Sequence, residues 1–299
     1  MFHRSRVLVA LTAVVAAGAM TLTGCASNKE GPGKPTGSVS AAVAKDATLA
    51  ASVPDKIKTA GKLVIGVNTP YTPNEFKQNG KVVGFDVDLL DAVAKVLGLT
   101  TSYQEAEFDK IIPAITAGTF DMGMSSFTDN KEREKTVDFV TYFSAGILWA
   151  APVGKNVDPN NACGLKVAVQ TTTVEDTDEI PAKSKACTDA GKPAIKKLQF
   201  ASQDDATNAV VLGQADAMSA DSPITSYAVK QNKDKIQIVG DISDSAPYGW
   251  PVAKGSALAP ALQKALQKLI DNGAYDEICK KWGVEAGEIK TAEINGAQS

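Results

Sequence analysis

Histidine is all but absent from the 299 residues, and the one present, His3, lies in an N-terminal segment expected to be removed. A mature chain without histidine has no Ser-His-Asp or Cys-His catalysis and no His-ligated metal site. No basic excess exists either. Lys and Arg number 31 against 34 Asp and Glu, a net charge of −3, which argues against a nucleic-acid binder that must neutralise phosphates. The four cysteines include no C-x-x-C pair, so a zinc motif is missing. After the first two dozen residues no apolar run approaches the 18 or so needed to span a bilayer. What remains is ordinary soluble-globular composition, 44% hydrophobic and 22% charged, long enough for about two domains with real cores.

The N-terminus reads as a targeting segment. Arg4 and Arg6 precede an apolar run at 7–19, too short to span a membrane, and Leu22-Thr23-Gly24-Cys25 follows at once. This resembles the lipobox of bacterial lipoproteins, in which Cys25 is lipidated and becomes the first mature residue, and acyl chains there would anchor the chain stably. The bland alternatives are an ordinary secretory signal with an incidental cysteine and a core helix. Removing 1–24 takes away two arginines and no acid, so the net charge would move from −3 to −5. Residues 25–52 are rich in Ser, Gly, Ala, Pro and Lys and read as a flexible tether. Export favours disulfides. Cys163 and Cys187 flank one strand-turn-helix unit and are expected to pair, a loop worth about 3 kcal/mol in the chain-entropy model. Spacing alone does not prove that bond. Cys279 sits among apolar residues of a terminal helix and reads as a small buried hydrophobe.

The body alternates strands and helices. A strand at 62–67 is followed by a hairpin at 76–83 around Asn79-Gly80. The helix after it takes Asp86 as N-cap, buries Val87, Leu90, Val93, Ala94 and Leu97, and stops at Gly98. A helix at about 109–117 contains Pro113, tolerable only near a first turn. A short strand at 120–124 precedes a brief helix, capped by Thr128-Asp129, that carries Arg133. Residues 137–151 read as extended. A second series begins with a strand at 166–170, a polar turn Thr171-Thr172-Thr173 and a helix. It continues with a strand at 195–200, a Ser202-capped helix to 212, a strand at 215–220, a helix opened by Asp221-Ser222-Pro223, and a strand at 236–239. Residues 248–253 are extended again, and helices at 260–270 and 274–282 are split by Asn272-Gly273. The alternation predicts an α/β fold of parallel sheets with helices on both faces. Two βα series predict two lobes: 53–143 plus 253–290, and 150–247. They are joined by crossings at 144–149 and 248–252, with the ligand cleft between them.

From about 53 to 290 the chain resembles the extracellular solute-binding proteins of family 3, the polar amino acid receptors of ABC importers. The matching stretches are NTPYTPNEF at 68–76, GFDVDLLDAVAKVL at 84–97, FDKIIPAITA at 108–117, TDNKEREKTVDF at 128–139, VAVQTTT at 167–173 and ADSP at 220–223. The resemblance implies a two-lobed periplasmic-binding-protein-like fold of type II with a double-stranded hinge, closing on its ligand. The implied protein is a lipid-anchored monomer at the extracellular face of the cell membrane (or in a periplasm). Its partners are an amino acid and an ABC transporter permease, with no cofactor, metal or nucleic acid.

The chemistry of such a ligand is independent of the resemblance. A zwitterion's carboxylate suits the planar fork of an arginine, and its ammonium suits carboxylate or carbonyl acceptors. Arg133, in R-x-x-x-V-D-F, matches the family arginine that clamps the α-carboxylate. By pattern alone it would be one more solvated charge in a charged run. Asp221 matches the family aspartate that takes the α-ammonium, and otherwise reads as a helix N-cap. Ser126 and Thr128 lie upstream of Arg133. Thr172 and Thr173 open a second-lobe helix whose amides suit a carboxylate. Gln170 is placed to meet the ligand side chain, and Tyr71 and Phe127 are aromatic walls or plain core. Asn68 stands where the family often has an acid, which shifts ammonium binding to Asp221. Asn74 makes the pocket more polar. An enzyme alternative on the same fold, a dehydratase of cyclic acids, would need a buried proton donor, for which Glu107 is the candidate. A ligand-sensing subunit of a receptor would use the same site. No catalytic residue is assigned.

Overall fold

The computed structural model describes residues 43–298. The expected signal peptide and the lipidation site Cys25 lie outside the described residues, as does most of the expected tether. Its last ten residues are folded, contrary to expectation. Asp46 caps a short helix α1 (Ala47–Ala51), accepting from the Thr48 and Leu49 amides. Lys268 reaches Asp46 at 2.7 Å, and Val43 and Ala50 are buried. A polar cap ahead of an alanine-rich run makes a helix here, and small apolar side chains suffice to dock it.

The first lobe carries α2 (Asp55–Ala60), β1 (Lys62–Val67), the hairpin β2 (Phe76–Gln78) and β3 (Lys81–Val83), α3 (Phe85–Val96), β4 (Thr100–Glu105), α4 (Phe108–Thr116), β5 (Met122–Gly123) and α5 (Lys131–Glu134). The long strand β6 (Val137–Pro152) leads into β7 (Lys166–Gln170), a π-turn at Glu175–Glu179, α6 (Ile180–Asp189), β8 (Lys196–Phe200), α7 (Gln203–Val211), β9 (Ala217–Asp221) and α8 (Ser222–Gln231). A second long strand, β10 (Ile236–Ala253), returns to α9 (Leu258–Asp271) and α10 (Ala274–Trp282).

Eight strands form one sheet in the order β4-β1-β5-β10-β6-β9-β7-β8. The outer triplets are parallel, β1 with β4 and β5, and β7 with β8 and β9. Between them β6 and β10 run antiparallel for almost their whole length. Extended segments expected at 236–239 and 248–253 are therefore one irregular strand, whose register shifts between Val239 and Ser243, Ser243 and Ala246, and Tyr248 and Gly249. Separate cores flank this pair. One packs α3, α9 and α10 against β1 and the start of β6, and others pack lobe-two helices on β7 and β9. Cys163 and Cys187 form the expected disulfide, and Cys279 is free and buried.

Three local expectations are corrected. Asp86 does not cap α3. Gly84 holds that place with φ +143, and the first amides of the helix donate to the Pro73 and Asn74 carbonyls instead. Asp86 turns inward and accepts from the Tyr142 hydroxyl. Asn130, rather than Thr128-Asp129, caps α5, accepting from the Arg133 amide at 2.8 Å, because Asp129 is buried and accepts from the Gly296 amide. Pro113 lies inside α4, where the carbonyl its ring leaves without a donor belongs to Asp109, an exposed residue.

Candidate functional site

The loops after β1, β5, β7 and β9 converge on one small, mostly enclosed cavity. Eight of the ten residues expected at a ligand site line it: Asn68, Tyr71, Ser126, Thr128, Arg133, Gln170, Thr173 and Asp221. Two do not. Phe127 lies behind the wall, stacked on Phe108 with ring centroids 4.3 Å apart, and Phe108 is the aromatic that faces the cavity. Thr172 is set back, but its carbonyl is turned to Arg133. Asn74 is also outside the lining. It donates to the Ser126 hydroxyl at 2.9 Å.

Arg133 is positioned from both lobes. Its Nη1 donates to the Thr128 carbonyl at 2.8 Å and its Nη2 to the Thr172 carbonyl at 3.0 Å. Its guanidinium carbon lies 5.7 Å from the Phe108 ring centroid and 5.6 Å from that of Phe127, within cation–π range. Burial lowers its pKa, against the pull of Glu175 and Asp221. Thr172 and Ser126 are non-glycine residues with positive φ, +65 and +51. Such left-handed backbone costs energy and persists where the surroundings over-determine it. Here it sits in two of the loops that border the cavity, those after β5 and β7.

Asp221 ends β9 and begins α8, yet its side chain makes no capping bond. Instead it accepts from the Tyr71 hydroxyl at 2.5 Å, a bond between lobes. Desolvation raises its pKa to about 6, against the opposing pull of the Tyr71 hydroxyl and the Arg133 charge. Gln170 and Asn68 make another bond between lobes, Nε2 to Oδ1 at 2.8 Å, and Asn68 donates in turn to the Ala106 carbonyl. Under the floor two buried carboxyls, Glu75 and Asp86, bracket the Ser126 hydroxyl. Burial raises both, Asp86 to about 6.

Sequence reasoning missed Phe108, Ser125, Val174 and Glu175, which also line the cavity. Ser125 adjoins an expected residue, and its hydroxyl accepts from the Asn68 amide at 3.1 Å. Glu175 follows Thr173 by two positions, where the sequence read only as a helix after the polar turn. The expected acid candidate Glu107 is exposed at the start of α4, so it is not the buried donor that a dehydratase requires. No group of three or more metal-ligating side chains occurs among the described residues. None of their helices is long and apolar enough to cross a membrane.

Known proteins share this architecture. The chain is 41% identical over 290 residues to the arginine-binding protein ArgT of Corynebacterium glutamicum, covering 96% of this chain and 95% of that one. It is 34% identical over 251 residues to the ABC transporter glutamine-binding protein GlnH of Bacillus subtilis, covering 80% and 85%. Among solved structures, an ancestral arginine-binding protein bound to arginine matches with TM-score 0.68 and 35% identity, covering 74% of this chain and 98% of that one. These relatives are named as binding proteins rather than enzymes, in keeping with a site to which no catalytic residue is assigned. A family description covers residues 63–285, and the chain accordingly belongs to the bacterial extracellular solute-binding proteins, family 3.

Proposed function

We propose that this protein captures a polar amino acid outside the cytoplasm and delivers it to an ABC importer. The observation that carries the reading is that Arg133 and Asp221, from different lobes, line one cavity. The ligand's carboxylate would sit on the remaining Arg133 N–H groups and the Thr173 amide, the Thr172 amide being held by Asp176. Its ammonium would sit on Asp221, and Tyr71 and Phe108 would cover its stem. A zwitterion so held bridges the cleft and favours closure over opening. Crossings at 144–149 and 248–252 would serve as the hinge between lobes 53–143 plus 253–290 and 150–247. Two of the register shifts in β10 lie just ahead of the second crossing and the third lies within it, and irregular pairing bends more easily. Lipidation at Cys25 would hold a monomer at the membrane, within reach of its permease. The relatives named for arginine and for glutamine support an amino acid ligand.

A micromolar ligand needs about 8 kcal/mol, which several charge-assisted hydrogen bonds of about 1.5–3 kcal/mol each supply after ordering costs. The test is thermal unfolding of the mature protein against each of the twenty amino acids, followed by calorimetry. At one hundred times its Kd the true ligand stabilises by about 2.7 kcal/mol. Absence of any shift, or equal binding of the ligand's α-amide, overturns the proposal.

A further inference from the structure

The cavity holds more negative charge than a zwitterion's two poles use. Its ionisable lining comprises one cation, Arg133, and two buried carboxyls, Asp221 and Glu175. If the ligand's carboxylate takes Arg133 and its ammonium takes Asp221, Glu175 is left over. That side chain is 1% exposed, and its Oε1 has no hydrogen-bond partner, the only such orphan among the cavity-lining residues. The amides that otherwise suit a ligand side chain are already engaged. Gln170 donates to Asn68 and to the Ala201 carbonyl, and Asn68 donates to Ala106.

Resting on the amino acid reading above, we infer that Glu175 is the specificity residue of the cavity, the acceptor for the positively charged side-chain group of a basic amino acid. Guanidinium and ammonium groups are donors only, and they match an acceptor that has none. The Glu175 amide and the Thr173 hydroxyl support the carboxyl, but a buried carboxylate with one oxygen unpartnered and no neutralising cation is still costly. A neutral side chain must therefore leave Glu175 protonated, whereas a cationic one lets it ionise. Its surroundings agree: burial first, then the nearby Asp221 charge, push the Glu175 carboxyl well above the usual range. The placement is local. The turn through Thr172, with its positive φ, brings Val174 and Glu175 to the cavity at the start of the π-turn.

The probes are L-arginine and its neutral isostere L-citrulline, titrated calorimetrically into wild type and Glu175→Gln. Wild type is expected to prefer arginine by about 10- to 100-fold, and in the variant that preference should fall to within about threefold of unity. A second measurement needs no variant. In buffers of differing ionisation enthalpy at neutral pH, citrulline should bind with greater proton uptake than arginine. The groups facing Glu175 are Asp221 and Arg133 across the cavity, Tyr71 from the other lobe and Glu179 on its own turn. All but Glu175 meet the same ligand poles in both complexes or lie away from them. Equal proton uptake, an unchanged ratio in the variant, or a wild type that takes citrulline as tightly as arginine each overturns the assignment and leaves the amino acid reading standing. A wild type that binds no amino acid overturns both.

Discussion

Arg133 offers a test in which charge and geometry can be separated. A guanidinium has five N–H donors, and two N–H groups are committed to the Thr128 and Thr172 carbonyls. Those bonds, with the Phe108 and Phe127 rings alongside, fix the plane of the group before any ligand arrives. A carboxylate meeting the rest of the fork gains two charge-assisted hydrogen bonds at little ordering cost, together about 3–6 kcal/mol. Arg133→Ala should therefore weaken amino acid binding by about 10²- to 10⁴-fold. Arg133→Lys keeps the charge but loses the planar fork and the simultaneous hold on both carbonyls, so it should recover less than half of that loss in free energy. The assay is calorimetry with the amino acid that most raises the melting temperature, with thermal unfolding of each ligand-free variant as the control for folding. Binding by the alanine variant within threefold of wild type removes Arg133 from the site. A lysine variant equal to wild type refutes the bidentate argument while sparing the charge.

Binding should also depend on pH. Asp221 titrates near 6 because burial disfavours its charged form, and only the ionised form accepts from an ammonium. Bound ligand favours ionisation, so affinity is full above pH 6 and falls by up to about tenfold per pH unit below it. Protonation of Glu175 acts in the same direction for a cationic ligand. Calorimetry from pH 5 to 8 reads this, and a flat profile contradicts it. At Gly84, φ is +143 and an added Cβ would lie 2.0 Å from the Asn74 carbonyl oxygen. Gly84→Ala should cost about 3 kcal/mol or more. Gly61→Ala, at φ +66 with nothing within 4 Å, should cost about 1 kcal/mol. Calorimetric melting temperatures that fall equally would refute this ranking.

Much of the fold was legible because its signals are local. The Asn79-Gly80 turn has the positive φ values, 53 and 75, that its dipeptide prefers. Ser202 accepts from the Asp205 amide as a capping residue should, and Gly98, Gly118 and Gly213 follow helix ends in left-handed backbone. Eight residues singled out with the help of the family resemblance line the cavity, Tyr71 among them, whereas Phe127, read as a second aromatic wall or plain core, lies behind Phe108, which was not singled out. Asp86 carried a capping signature and was nevertheless drawn into the core, where the Tyr142 hydroxyl meets it.

By itself the sequence located most of the strands, turns and helices, since periodicity and capping act over about four residues. Tertiary structure alone decided that Tyr71 reaches Asp221, that Gln170 reaches Asn68, and that Glu175 is enclosed with an unpartnered oxygen. Those outcomes depend on how far two lobes approach and how much water they exclude, and neither distance nor desolvation is written in neighbouring residues.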